Sequence, residues 1–492
     1  MTLKSAQGGF TEIGINVAFY TLDIKKRDVL YVLPTSLNAA DFSKARFGGA
    51  LEASPYIKSM FSDINTVGLK RAGANNLYIR GSKGKSNLKS VPASVLILDE
   101  YDEFDQEAVA LALERLSGQI EKQVWYISTP TIPQYGVHRE FLLSTQEHYF
   151  FPCPSCSKQT ELVWPDCVEI IGDDVNDPRC KESYLKCKEC KAKLEHLDKP
   201  NWLGKGKWQP TVNTGTKDRR GFHINQIYSL TVSPGELVQA YHRGRCDEYA
   251  ACEFQRSKLG LPWIGEGAQI NDGHIINCTK DFLNNTLFPT RNRPIITMGY
   301  DQGKTGYYSV VEWKITGSMK NANNNAIGKL IGFGRVDQNS LGLSRLEELM
   351  SEWQVLYCVL DADPEIGLAR TFCKKFRKFA AISRYRKGVT GNELSISDVD
   401  TDAPLITADR TYWLSMALGR FKTERIEVPR DLSTEYKDHI KAMVQTFEKD
   451  EKNNPFATYV STGADHYAHS LCYSEIALTQ VPGVGGGNIT NI

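Results

Sequence analysis

A run of apolar residues, Val95-Leu96-Ile97-Leu98, stops abruptly at Asp99-Glu100, and Asp102, Glu103 and Asp105 follow at once. Four apolar residues in a row suit a strand covered on both faces, and such strands deliver their carboxyl ends to the ligand site of an open α/β sheet. Asp99 is expected to hold Mg²⁺, directly or through water, and Glu100 to polarise the water that attacks a γ-phosphate. The plainer reading is a strand followed by an acidic helix cap. A candidate partner opens the chain: Lys4-Ser5-Ala6-Gln7-Gly8-Gly9-Phe10-Thr11. A small, Gly-rich turn that starts a helix offers backbone N–H groups to phosphates. Phe10 stands where a GK[ST] loop carries lysine, so Lys4 is expected to supply the ammonium. Thr11 keeps a hydroxyl for Mg²⁺, and Ser5, Gly8 and Gly9 form the cradle. Taken alone, the stretch also reads as an ordinary Gly-rich turn.

Cys153-Pro154-Ser155-Cys156 and Cys187-Lys188-Glu189-Cys190 are two CxxC knuckles. Four thiolates in this pairing suit tetrahedral Zn²⁺, with Cys153, Cys156, Cys187 and Cys190 as ligands. Redox CxxC sites would need a βαβ context that is missing here. Cys167 and Cys180, between the knuckles, are expected to be packing residues or spare thiols. Such a ribbon is structural: it clamps a connector too short for its own core.

The second half offers three separated acids. Ile295 to Asp301 reads as a strand ending on an acid, Tyr307 to Trp313 and Lys329 to Val336 continue a meander, and Leu341 to Trp353 is helical. Val355 to Asp361 is then a second strand ending on an acid, with Asp363 just beyond. Strand, strand, strand, helix, strand is the order of ribonuclease-H-like nucleases, whose first and fourth strands carry neighbouring carboxylates. A third is expected from a late helix, and Asp465-His466-Tyr467-Ala468-His469 supplies it. At helical spacing Asp465, Ala468, His469 and Cys472 share one face. Asp301, Asp361 and Asp465 converge usefully only around two divalent ions about 4 Å apart, which offset their repulsion and activate water. Asp363 is a candidate accessory ligand. His469 is either close to the metal or a hydrogen-bonded core histidine, and each acid singly could be a cap.

The elements needed to position these groups are legible. Asp28 to Thr35 contains a strand, and Asp105 is expected to cap a helix with Val109, Ala112, Leu113 and Leu116 inward and Gly118 as its stop. Gln123 to Pro130 is another strand, ending in Ser128 and Thr129. Two stretches are basic and free of acid. Lys70, Arg71, Arg80, Lys83, Lys85 and Lys89 fall between Ile64 and Leu98. Arg370, Lys374, Lys375, Arg377, Lys378, Arg384, Arg386 and Lys387 fall between Ile366 and Asn392, with Phe376, Phe379 and Tyr385 interleaved. Either could meet DNA phosphate or be a solvated face. The 492 residues carry a net charge of +1, so no global basic field exists. No run approaches the roughly 20 apolar residues of a membrane span, and no signal peptide is evident. The expected class is α/β: a P-loop-type ATPase with a parallel sheet over 1–148, a central zinc ribbon over 149–200, a connector over 201–289, a ribonuclease-H-like nuclease over 290–478 and a flexible Gly-rich tail over 479–492.

Lys4-Ser5-Ala6-Gln7, Asp99-Glu100, the two cysteine knuckles and Asp465-His466, in that order, resemble the large terminase subunit of tailed bacteriophages in its lambda-like branch. The resemblance runs from Lys4 to about Ala477. It implies a viral packaging motor that hydrolyses ATP to drive double-stranded DNA into a procapsid and cuts the concatemer with a metal-dependent endonuclease. The implied cofactors are ATP, Mg²⁺ (or Mn²⁺ at the nuclease) and Zn²⁺. The implied partners are DNA, a small terminase subunit, the portal of the procapsid and further copies in a ring, with no membrane, in the host cytoplasm. The resemblance also gives Ser128 and Thr129 the role of sensing the γ-phosphate. Two departures stand out: a segment that holds adenine normally precedes the phosphate loop, and Lys89 lies where an arginine finger is expected. An alternative follows from them, a metal-dependent DNA endonuclease whose ATPase-like domain is inactive and serves DNA or partner binding.

Overall fold

The structure is a computed structural model that describes residues 1–61, 64–83, 88, 91–104, 106–213, 218–286, 294–316, 325–337, 342–386, 391, 394–397, 403–449, 455–482 and 489–491. Lys85, Lys89, Asp105, Lys387 and the Gly-rich run after 482 lie outside the described residues. The chain forms two compact units, Met1–Ile264 and Gly265–Ile492.

The first unit is built on one large sheet. Its central strands are β1 (Thr2–Lys4), β2 (Val29–Leu33), β3 (Asn75–Gly81), β4 (Val95–Asp99), β5 (Gln123–Ser128), β6 (Glu147–Pro152) and β7 (Phe222–Ile224). In space they run β6, β7, β1, β5, β4, β2, β3, all parallel to their neighbours. All five residues of β2 and all five of β4 are buried, as expected of strands covered on both faces by crossover helices. Helix α1 (Phe10–Asp23) covers one face, placing Ile15, Ala18, Phe19 and Leu22 in a core with Tyr31, Ile97 and Ile127. Helix α2 (Gln106–Leu113) lies in the core of Leu30, Leu96 and Leu98. Val109, Ala112 and Leu116 point inward as expected, whereas Leu113 is 37% exposed. Directly after Leu113 the helix tightens into a 3₁₀ turn over Glu114–Leu116.

The expected connector over 201–289 is divided between the units. Lys207–Pro210 pairs with β6 and Phe222–Ile224 with β1, so the first part of that stretch completes the N-terminal sheet. Thr279–Lys280 joins the sheet of the second unit instead. Around the second knuckle, Val168–Glu169 and Tyr184–Lys186 before it and Lys193–Leu194 after it form a small antiparallel sheet. Cys167 and Cys180 are packed inside it with Leu162, Trp202 and Ile227, in agreement with a packing role.

The second unit has the expected order of elements. Strands β8 (Ile295–Asp301), β9 (Thr305–Ile315) and β10 (Ala326–Asp337) form an antiparallel meander, followed by helix α3 (Gly342–Glu352) and strand β11 (Tyr357–Asp361). β11 lies beside β8 and parallel to it, with Tyr300 opposite Leu360, so Asp301 and Asp361 leave the same end of neighbouring strands. After helix α4 (Ile366–Lys375), strand β12 (Ala380–Tyr385) extends the sheet alongside β11. Helix α5 (Arg410–Lys422) and helix α6 (His466–Gln480) complete the core, and α6 is buried continuously from Ser470 to Leu478.

Gly299 explains how α6 comes so close to β8. A Cβ there would sit 2.0 Å from Ser470 O and 2.4 Å from Ser474 N. The helix meets the sheet through short polar side chains, with Thr297 Oγ1 donating to Ser474 O at 2.8 Å and the Ser309 and Ser470 hydroxyls 2.7 Å apart.

Candidate functional site

In the first unit, Lys4 at the end of β1, Ser128 at the end of β5 and Asp99 at the end of β4 lie at the carboxyl edge of three adjacent strands. Between β1 and α1 the chain turns through positive φ at Gln7 (56°) and Gly9 (77°). Such inversions turn successive N–H groups toward one side, and the first turn of α1 adds N–H groups that have no intrahelical partner. Gly8 and Gly9 are exposed, Ser5 is buried and Thr11 is half-buried. The loop therefore has the form of an anion cradle.

Asp99 Oδ2 accepts a 2.8 Å hydrogen bond from Tyr31, while Asp99 Oδ1 is buried without a hydrogen-bond partner. Burial, and then the neighbouring Glu100 charge, push the Asp99 carboxyl above its ordinary range; Tyr31, Lys4 and Thr11 act against them. A buried acceptor left open in this way is what a divalent ion, or its bound water, would satisfy. Glu100 is a non-glycine residue at φ 59°, a conformation that costs on the order of 1 kcal/mol and turns its carboxylate out of the strand line. Its Oε1 meets Lys4 Nζ at 2.9 Å, with 40% of the Glu100 side chain exposed. The ammonium and the candidate base neutralise each other.

Ser128 Oγ accepts from Asp102 N at 3.1 Å and donates to the carbonyl of Thr129, which is half-buried. Asp102, which sequence position alone does not single out, ties the acidic turn to the segment after β5. Its Oδ2 accepts from Thr131 N and Oγ1 at 2.8 and 2.9 Å, and its Oδ1 accepts from Val137 N at 2.7 Å. Gly136 makes that approach possible, because a Cβ there would lie 2.3 Å from Asp102 Oδ1. Of the basic residues between Ile64 and Leu98, Lys70 is buried on Asn65 Oδ1 at 2.6 Å, and Arg80 binds the carbonyls of Gly68 and Ile79. These two hold a hairpin, while Arg71 and Lys83 are exposed.

The cysteine knuckles come together. One sulfur from each of Cys153, Cys156, Cys187 and Cys190 lies within 4.8 Å of all the others. Both knuckles turn identically: Ser157 N donates to Cys153 O, Lys191 N to Cys187 O, and Ser157 (φ 59°) and Lys191 (φ 61°) are left-handed. Burial pushes the Cys153 thiol up to about 12, whereas the Ala192 N–H draws the exposed Cys190 thiol down to about 7. Four soft donors gathered this closely fit Zn²⁺, which would hold all four as thiolates.

In the second unit, Asp301 Oδ2 and His466 Nδ1 are 2.8 Å apart. His466 stacks on Tyr307 at 4.7 Å with 7° between the rings, and the Asp301 carboxylate raises its pKa. Asp361 is pushed up to about 6, first by burial and then by Asp301, with the Tyr473 hydroxyl and the Asp363 N–H acting against this. Burial alone would raise Asp465, but His469, Ser461 and His466 together hold it below its usual value. His469 Nε2 is 3.5 Å from Asp465 Oδ2, and its Nδ1 is 3.2 Å from Tyr385 Oη, so the acid and the histidine share a helix face as expected. Among the described residues, only the four cysteines bring three or more ligating atoms within 4.8 Å of one another. The three aspartates are gathered at one end of the sheet in an open arrangement. Both oxygens of Asp363 face Arg384, at 3.0 and 3.1 Å.

Sequence reasoning gave His466 no contact of its own, and nothing in a helical period marks a residue at the first position of a helix as the partner of a distant strand end. Gln302, next to Asp301, is buried with neither amide atom hydrogen-bonded. In the second basic stretch Arg370, Lys374, Lys375, Arg377 and Lys378 are exposed. Phe376 packs on Phe372 at 4.8 Å, Tyr385 lies against His469, and Phe379 is 53% exposed. Only Phe379 of the three interleaved aromatics faces solvent, because the other two lie on the inward faces of their elements.

Residues 1–208 match the family model described as the phage terminase large subunit gpA, ATPase domain. The chain is similar in sequence to the large terminase subunits of two phages. It is 26% identical over 304 residues to the terminase large subunit of Enterobacteria phage P21, covering 54% of this chain and 46% of that protein. Its identity to the terminase large subunit of Escherichia phage lambda is 21% over 311 residues, covering 57% and 48%. The chain thus spans about half the length of these curated terminase relatives. Among solved structures it is similar to the large terminase of a thermophilic bacteriophage, at 12% identity over 97% of this chain and 93% of that one, with a TM-score of 0.29. It is also similar to the large terminase nuclease of thermophilic phage G20c with bound magnesium, at 14% identity over 41% and 94%, with a TM-score of 0.27. The family match lies within the first unit, over residues 1–208, and the second unit is characterised by its own topology.

Proposed function

We propose that this chain is the motor and nuclease of a viral DNA packaging machine: it hydrolyses ATP to translocate double-stranded DNA into a procapsid and cuts concatemeric DNA with two divalent ions. The observation that carries the motor is the meeting of Lys4, Thr11, Asp99 and Glu100 at the carboxyl edge of adjacent parallel strands, within the stretch that matches the terminase ATPase model. In this reading the Gly8-Gly9 turn and the start of α1 bind the phosphates. Asp99 and Thr11 hold Mg²⁺, Glu100 activates water once nucleotide draws Lys4 away, and Ser128 and Thr129 relay the state of the γ-phosphate toward the Asp102 turn. Cys153, Cys156, Cys187 and Cys190 hold Zn²⁺ as a structural ion.

The second unit is proposed to be a ribonuclease-H-like nuclease, on the strength of its meander, helix and parallel fourth strand, and of acids ending β8 and β11 side by side. Asp301, Asp361 and Asp465 would bind Mg²⁺ or Mn²⁺, with His469 orienting Asp465. The exposed cations of α4 and its exit would meet the DNA backbone. A small terminase subunit, a portal and further copies in a ring belong to the same reading, in the host cytoplasm. Among the described residues no helix is long and apolar enough to cross a membrane.

One observation favours a second reading, a nuclease with a silent ATPase unit: the Lys4 ammonium is already engaged by Glu100 at 2.9 Å. DNA-stimulated ATP hydrolysis by wild type, Glu100→Gln and Lys4→Ala separates the two. The motor reading expects turnover in wild type alone, and equal or absent turnover in all three would sink it.

A further inference from the structure

The phosphate loop is too short to hold its own shape, since several of its backbone groups bond outside it. Ser5 N donates to Ile224 O at 2.9 Å, Ala6 N donates to Ser257 O at 2.8 Å, and Gln226 Nε2 donates to Ala6 O at 2.8 Å. Behind the loop, Gly260 sits at φ 63°, where a Cβ would lie 2.8 Å from Ser5 N and 3.0 Å from Lys4 C. All four supporting residues lie between Ile224 and Gly260, beyond the stretch 1–208 that matches the ATPase family model.

Gln226 is the side-chain member of this brace, and it is firmly placed. It begins a 3₁₀ turn, Gln226–Tyr228, capped by Asn225, whose side chain accepts from Ile227 N. Asn225 Nδ2 donates to Leu162 O at 2.8 Å, Tyr228 Oη donates to Tyr149 O at 2.7 Å, and Ile227 is buried among Phe151, Cys153 and Leu162. The turn is therefore fastened to the strand that leads into the first cysteine knuckle. Because a carbonyl can only accept, Gln226 must present its NH₂ to Ala6, and that leaves its Oε1 buried with no partner. An orphaned buried acceptor destabilises the fold, because its lost hydration is not replaced. A residue chosen for packing alone would not carry it, whereas one that fixes a functional loop would.

We infer that Gln226, backed by the Ser257–Gly260 turn, is a positioning residue for nucleotide binding: it holds the Ala6 carbonyl back so that the following N–H groups stay turned toward the phosphates. It touches no phosphate itself. The inference rests on residues 4–11 being the phosphate loop. Because the loop would grip phosphate equally before and during hydrolysis, losing its brace raises KM and spares kcat.

The test is ATP hydrolysis by the full chain with Gln226→Met, Gly260→Ala and Lys4→Ala, together with the Tm of each. Gln226→Met keeps the length of the side chain and removes both the anchor and the orphaned oxygen. Its expected signature is a KM for ATP raised roughly fivefold with kcat within about twofold, and a Tm equal to or above wild type. Gly260→Ala leaves Gln226 intact and presses a methyl group on the loop, so KM rises again. A normal KM in either variant while Lys4→Ala is inactive overturns the inference and leaves the phosphate-loop reading standing, as does a lowered Tm with a normal KM. Wild-type kinetics in Lys4→Ala overturns the phosphate-loop reading, and the inference with it.

Discussion

Lys4 and Glu100 each serve as the other's counter-ion across 2.9 Å, so the two groups expected to do opposite jobs in hydrolysis are held in one contact. Glu100→Gln removes the base and frees the ammonium. ATP turnover is expected to fall roughly a hundredfold or more, while binding of a fluorescent ATP analogue is retained or tightened; turnover within threefold of wild type would count against Glu100 as the base. In the other unit, Asp361 is the group whose titration sets a pH window. Its pKa lies near 6, raised by burial and by Asp301, and only the ionised form binds a divalent ion. Metal-dependent DNA cleavage is therefore expected to rise with pH through about 6 and to level off above it, with bound metal moving the midpoint lower. Cleavage measured from pH 5 to 8 at fixed Mn²⁺ checks this, and a profile that falls across that range would be inconsistent with Asp361 as a ligand. The raised pKa has the opposite sign for stability: the folded state holds this proton more tightly than the unfolded chain, so the contribution of Asp361 favours folding below about 4 and is lost as pH rises through about 6.

At the scale of elements, the decisive contact of the second unit is α6 lying on β8. Gly299→Ala would drive a methyl group into the backbone of α6, where neither side can yield cheaply. A loss of about 3 kcal/mol or more is expected in urea unfolding, with cleavage falling because Asp465 and Asp301 are carried by the two elements forced apart. The opposite side of α6 is held by Glu475, which pairs with Arg420 at 2.5 and 2.6 Å with both side chains at most 4% exposed. Arg420 also lies over Trp313 at 4.7 Å. Glu475→Leu would take the carboxylate from a buried guanidinium that keeps its bond to Ala326 O at 2.6 Å, and is expected to cost about 3–5 kcal/mol. The double variant Arg420→Met/Glu475→Leu is expected to recover much of that loss, and an uncorrected double variant would show that the pair is not coupled.

At the scale of the whole molecule, the chain divides at Ile264/Gly265 and the candidate metal sites divide with it. The four cysteines belong to the first unit and the three aspartates to the second. Stripping Zn²⁺ with a strong chelator and then restoring Mg²⁺ is expected to lower the first unit's Tm by several degrees or more, since the ion's binding free energy is folding free energy. Cleavage should return with Mg²⁺ alone. Residues 265–492 made separately are expected to retain metal-dependent cleavage and lack ATP hydrolysis; an inactive but folded fragment would argue against an autonomous nuclease.

Much of this was legible because short local patterns carried the information. Val95 to Leu98 is uniformly apolar because its strand is covered twice, and the CxxC spacing alone requires a tight turn that points two sulfurs one way. The order of strands around Asp301 and Asp361 likewise followed from periodicity and from acids at strand ends. What the sequence could not reveal depends on residues far apart in the chain meeting. His466 reaches Asp301 across 165 positions, Gln226 reaches Ala6 across 220, and Asp102 is buried by a segment some thirty residues later. The connector drawn over 201–289 failed as a unit for the same reason: β7 is too short to announce itself and is a strand only because β1 lies beside it. The sequence by itself determined which residues are able to do chemistry and on which kinds of element they ride. Tertiary structure alone decided which of them meet, because a side chain's partner is set by sheet order and helix approach, and neither is written in any local period.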